Sequence, residues 1–83
     1  MLSGTKEFQA NIRYIERQGM HRYETPLWAN SFVSAVLNAE MILLSEHPSA
    51  TVLAIEIIDL DRQREYKPRL VVNNPNVPPK KKV

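Results

Sequence analysis

Residues 21–40 read HRYETPLWANSFVSAVLNAE, and a change of rhythm inside this stretch decides the fold. In its first half, His21, Tyr23, Thr25, Leu27 and Ala29 share one face, while Arg22, Glu24, Pro26 and Trp28 share the other. A period of two belongs to a strand, whose successive side chains point to opposite faces. Pro26 has no amide hydrogen to give to a ladder, so this strand is predicted at a sheet edge, or to break there. Asn30-Ser31 ends the alternation, and the Ser31 hydroxyl can accept from the free amides of a first helical turn. From Phe32 to Glu46 the period becomes helical. Phe32, Ala35, Val36, Ala39, Ile42 and Leu43 form a wide apolar stripe, with Ser31, Ser34, Asn38 and Ser45 on the polar side. Pro48 supplies a stop.

Upstream, a second alternating run sets Phe8, Ala10, Ile12 and Tyr14 against Gln9, Asn11 and Arg13, which predicts a strand from Lys6 onward. The polar run Glu16-Arg17-Gln18-Gly19 between the two reads as a hairpin turn, with Gly19 as the residue that accepts positive φ. Downstream, TVLAIEIIDL over 51–60 is rich in β-branched residues and reads as a third strand. Leu53, Ile55 and Ile57 are expected to face the helix, and Val52, Ala54, Glu56 and Ile58 to face away. A turn follows over 59–63. Residues 65–72, EYKPRLVV, can add a short fourth strand, which Pro68 confines to an edge. The remainder, NNPNVPPKKKV, has nothing to bury and is expected to be disordered. The fold class is therefore α+β: a small antiparallel sheet with one helix packed on one face, in the order β-β-α-β with room for the short fourth strand. The chain reads as one domain over 1–72 with a tail over 73–83, and it carries no internal repeat.

At 83 residues there is room for one modest core. The chain has no cysteine, which excludes a disulfide framework or a thiolate metal site and fits a reducing cytoplasm. The start, MLSGTKEFQ, lacks the basic and apolar regions of a signal peptide. No apolar run approaches the roughly 20 residues that span a bilayer, so no membrane partner is expected. Lys+Arg number 11 against 9 Asp+Glu, and three of the positive charges are Lys80, Lys81 and Lys82. The rest of the chain is close to neutral.

The residues for catalysis are missing. His21 and His47 have no Ser/Asp companions in a recognisable pattern, and no H-E-x-x-H motif occurs. Two glycines cannot build a phosphate-cradling loop. The Asp59/Asp61 pair reads as a turn, where Asp bonds its own backbone. No enzyme, cofactor or metal site is expected. A nucleic-acid reading can be built on Arg62, Arg64, Lys67 and Arg69 around Tyr66, with the lysines of the tail. Glu56, Asp59, Asp61 and Glu65 are interleaved with them, whereas a nucleic-acid footprint is usually one-signed. Protein binding is the favoured class. Trp28 lies on the strand face that points away from the helix, with Ile15 and Met20 expected to flank it, Arg13 and Arg22 nearby and Glu56 on the same face. Trp and Arg are enriched among interface hot spots. Val33, Leu37 and Met41, with Leu44, form a second candidate surface on the side of the helix away from its core stripe. A homodimer with Val33, Leu37 and Met41 at its two-fold axis is a third reading.

The stretch 21–40 also resembles the strand–helix segment of the small early proteins with which T-odd coliphages inhibit host RNA polymerase. The shared features are His21, Tyr23, Glu24, Pro26, the pair Leu27-Trp28, Ala29, the hydroxyl cap Ser31, and Ala35, Ala39 and Glu40. KEFQANI, residues 6–12, is similar to that family's first strand. The resemblance covers residues 6–40 and implies the same β-β-α-β order. It also implies a bacteriophage protein of host takeover: a cytoplasmic inhibitor that grips a host protein. The arginine pair of the family's last strand has no counterpart here, where Ile55 and Ile57, or Glu56 and Ile58, stand instead.

Overall fold

The computed structural model describes residues 4–61 and 63–74. Five elements follow one another: β1 (Lys6–Glu16), β2 (Gly19–Ala29), α1 (Phe32–Glu46), β3 (Thr51–Asp59) and β4 (Arg69–Asn73). The four strands form one antiparallel sheet in the order β2-β1-β3-β4, and α1 packs on one face of it. The α+β class and the β-β-α-β order read from the sequence are those of the structure, with the fourth strand present. It begins at Arg69, directly after Pro68, rather than at residue 65. Pro26 sits within β2, which is an edge strand as its missing amide requires.

The β1–β2 hairpin turn falls over Glu16–Gly19 as read, but positive φ does not fall on Gly19. Glu16 pairs with Gly19, so the loop is the two residues Arg17 and Gln18, and these take positive φ, +54° and +66°. Two left-handed residues in a two-residue loop make a type I′ turn, whose twist matches that of the flanking strands. Gly19 has a different reason to be small: a Cβ there would stand 3.1 Å from Nε2 of His21.

The core lies between α1 and the inner face of the sheet. Phe8, Ala10, Ile12 and Tyr14 of β1, Leu27 and Ala29 of β2, and Ile55 and Ile57 of β3 meet Ala35, Ala39 and Leu43 of α1, and all are buried. The two helix alanines bring the backbone close to the sheet, and Phe32 closes one end with its ring edge-on to Phe8, centroids 5.4 Å apart. The Ser31 hydroxyl accepts from the Ser34 amide, 3.2 Å, and caps α1 at the predicted residue.

β3 corrects two facing assignments, Val52 and Leu53. Its register to β1 shifts between Arg13 and Tyr14: Arg13 stands opposite Ala54, but Tyr14 opposite Val52. Leu53 is the extra residue of a bulge. Val52 accordingly packs on the core instead of facing away, and Leu53 is not part of the buried cluster. Asn74 ties this bulge down, its amide N–H donating to the Leu53 carbonyl and its Nδ2 to the Val52 carbonyl at 2.7 Å. The ordered domain thus reaches past the predicted boundary at 72. The rest of the predicted tail, with Lys80, Lys81 and Lys82, lies outside the described residues, as does Arg62. Asp59 and Asp61 form two successive turns, each carboxylate accepting the amide two residues on. Asp59 is buried and takes Lys6 as its cation, 3.5 Å away.

Candidate protein-binding surfaces

Among the described residues, α1 covers one face of the sheet and no element packs on the other. Strand alternation sends Arg13, Arg22, Trp28 and Glu56 to this outer face, as expected. Arg13 and Arg22 are directly opposed across the β1–β2 ladder, and Ala54 is the β3 neighbour of Arg13. In the next row Glu24, Asn11, Glu56 and Val71 stand side by side across all four strands. The two rows border a shallow cavity of about 320 Å³, whose lining includes Arg13, Arg22, Glu24 and Glu56. Both oxygens of Glu56 are engaged, one by Asn11 Nδ2 at 3.1 Å and the other by Arg69 Nη1 at 2.9 Å.

Trp28 is on this face but not in this cluster. It pairs with Glu7 at the opposite end of the ladder, and six residues of strand separate it from Arg22, about 20 Å. Ile15 and Met20, expected beside Trp28, are instead paired with each other next to the two arginines. Trp28 is 64% exposed, and its carbonyl accepts from Asn38 Nδ2 of α1.

The second surface is the back of α1. Val33, Leu37 and Met41 are 68%, 56% and 69% exposed, and their four-residue spacing sets them in one line along the helix. β4 lies at the sheet edge beyond β3 and leaves these three side chains uncovered. Leu44, the fourth member expected there, is half-buried. Because α1 lies on the inner face of the sheet, this stripe points away from the arginine cluster. The seven predicted contact residues therefore divide between two opposite sides of the molecule.

The described members of the basic run are already engaged. Arg64 Nε lies 3.4 Å from Asp61 Oδ2, Arg69 is held by Glu56, and Lys67 Nζ donates to the Asp61 carbonyl.

One cluster escaped sequence reasoning. His47, the C-cap of α1, contacts Glu16 Oε1 through Nδ1 at 3.1 Å, and Ser49 Oγ donates to Glu16 Oε2 at 2.9 Å. The Ser49 bond, then His47 and the charge of Arg17, hold the Glu16 carboxyl below its ordinary value. Tyr14 stacks between His21 and His47, with both centroid distances 5.3 Å. Burial, and then the Glu46 carboxylate, push the Tyr23 phenol up. This cluster clasps the hairpin turn to the α1–β3 corner. Among the described residues no group of three or more His, Cys, Asp or Glu is placed to hold a metal ion, and no helix is long and apolar enough to cross a membrane. No protein-family model, curated protein or solved structure matches the chain, so these surfaces rest on their own geometry.

Proposed function

We propose that this chain is a non-enzymatic module that binds a host or cellular protein. The observation that carries the reading is the back of α1: three large apolar side chains in one line, each more than half exposed, where a solvated helix carries Lys and Glu. Contiguous exposed apolar surface marks an interaction site more often than scattered residues do. The engagement of Arg64, Lys67 and Arg69 with acidic or carbonyl oxygens weighs against the nucleic-acid alternative. The resemblance to phage polymerase inhibitors suggests a specific form of the activity, stoichiometric inhibition of a host enzyme such as RNA polymerase.

The test compares wild type with Leu37→Glu and Met41→Glu as tagged baits in nuclease-treated bacterial lysate. Unfolding curves establish that both variants keep the fold. The expected outcome is one protein retained at near-equal stoichiometry by wild type and lost from both variants. Retention only when nuclease is omitted would replace the reading with nucleic-acid binding. A wild-type mass twice that of the chain, returning to monomer in Leu37→Glu, would replace it with a homodimer.

A further inference from the structure

We propose that Arg13 and Arg22 form a carboxylate-binding site on the outer face of the sheet, and that the partner presents an acidic peptide segment to it. The proposal rests on the protein-binding reading and names the chemistry of the partner. Like charges placed directly opposite one another across a ladder repel, so the Arg13–Arg22 pair costs stability unless an anion lies between the two. Neither guanidinium is in an ion pair among the described residues, whereas Arg64 and Arg69 each have a carboxylate. Glu56, the nearest acid on β3, is already shared between Asn11 and Arg69. The small side chain of Ala54 beside Arg13 keeps the cavity between the rows open.

The surroundings select the ligand. Two guanidinium forks suit a planar carboxylate, which each can grip through two parallel bonds. Glu24 and Glu56 border the same cavity, so the site is positive only locally. A phosphate backbone, with its repeated charge, would meet these two carboxylates, and nucleic-acid surfaces are one-signed where phosphates lie. A single Asp or Glu side chain has one charge to place, and it can sit on the arginine row instead of the neighbouring Glu24–Glu56 row. The adjacent Ile15–Met20 pair, both exposed, offers an apolar contact to the next residue of an extended peptide.

The test uses the full chain with isotopically labelled arginine, titrated with a capped alanine peptide carrying a single Glu beside a Leu and, separately, a ten-nucleotide oligothymidylate. The expected result is that the Nε–H resonances of Arg13 and Arg22 shift with the peptide while those of Arg64 and Arg69 stay still. The double variant R13Q/R22Q should weaken the peptide by about tenfold or more, as loss of charge-assisted forks requires. R13K/R22K, which keeps the charge and removes the fork, should fall between. Unchanged peptide affinity in R13Q/R22Q, or tighter binding of the oligonucleotide through the same two arginines, would overturn the proposal. Its failure separates from that of the parent reading. A lysate protein held equally by wild type and R13Q/R22Q, and lost from Leu37→Glu, removes the carboxylate site and leaves protein binding intact.

Discussion

Arg17 and Gln18 occupy a backbone region where a Cβ crowds the following carbonyl, at a cost of roughly 1–2 kcal/mol per residue. Glycine has no Cβ, and a type I′ turn prefers it at the second loop position. Gln18→Gly is therefore expected to stabilise the domain by about 0.5–1 kcal/mol, seen as a higher urea midpoint at unchanged slope. An unchanged or lower midpoint would mean that the turn is not strained. Leu43 is the opposite case, a fully buried side chain between helix and sheet. Leu43→Ala should cost about 2–5 kcal/mol, much of the stability of a domain this small. The Arg13–Arg22 pair was legible in the sequence once the turn is placed at Arg17-Gln18, because counting outward sets these two opposite each other. The four-residue turn over 16–19 gives the same count. Nothing in the sequence signals the Glu16–His47–Ser49 clasp, whose members lie on two corners that only the packed helix brings together.

Among the elements, α1 was the most legible, because its start is written in one residue. Ser31→Ala should remove the cap and cost about 1 kcal/mol, and Ser31→Asp should restore most of it. Equal thermal midpoints for Ser31→Ala and wild type would show that the cap contributes nothing. β1 and β2 were legible from alternation, because one face of each is wet. β3 was legible as a strand, and in its facing from Ala54 onward, but not at Val52 and Leu53. Val52, Leu53, Ala54 and Ile55 are all apolar, so no polar residue marks where the bulge falls. β4 is too short to show a period, and only Pro68 hints at where it starts.

For the whole molecule, two opposite surfaces mean that one partner meets one of them or wraps the edge between. If the partner spans the outer sheet face from the arginines to Trp28, Trp28→Ala should cut affinity by about 2 kcal/mol or more. Leu37→Glu should then leave affinity unchanged. A partner on α1 reverses the two responses, and titration calorimetry on both variants decides between them. Stability should also depend on pH at both ends. The lowered Glu16 carboxyl contributes stability that is present above its ordinary 4.5 and lost as pH falls through the folded value. The raised Tyr23 phenol contributes stability that is present below its ordinary 10.0 and lost as pH rises beyond it. Glu16→Gln should flatten the acid limb of a urea-midpoint profile, and Tyr23→Phe the alkaline limb.

The sheet order has a consequence for the chain as it is made. β1 is the first of the four strands to leave the ribosome, yet it sits in the interior of the sheet, between β2 and β3. The hairpin with β2 can close early, because its contacts are local. The other edge of β1 stays open until β3 has been synthesised through Asp59, roughly 2–9 s after Glu16 at ordinary translation rates. Until α1 has followed it out, the nascent hairpin shows Phe8, Ala10, Ile12 and Tyr14 with neither helix nor third strand to cover them. The growing chain, more than the finished fold, is therefore the form whose open strand edge and apolar face invite aggregation.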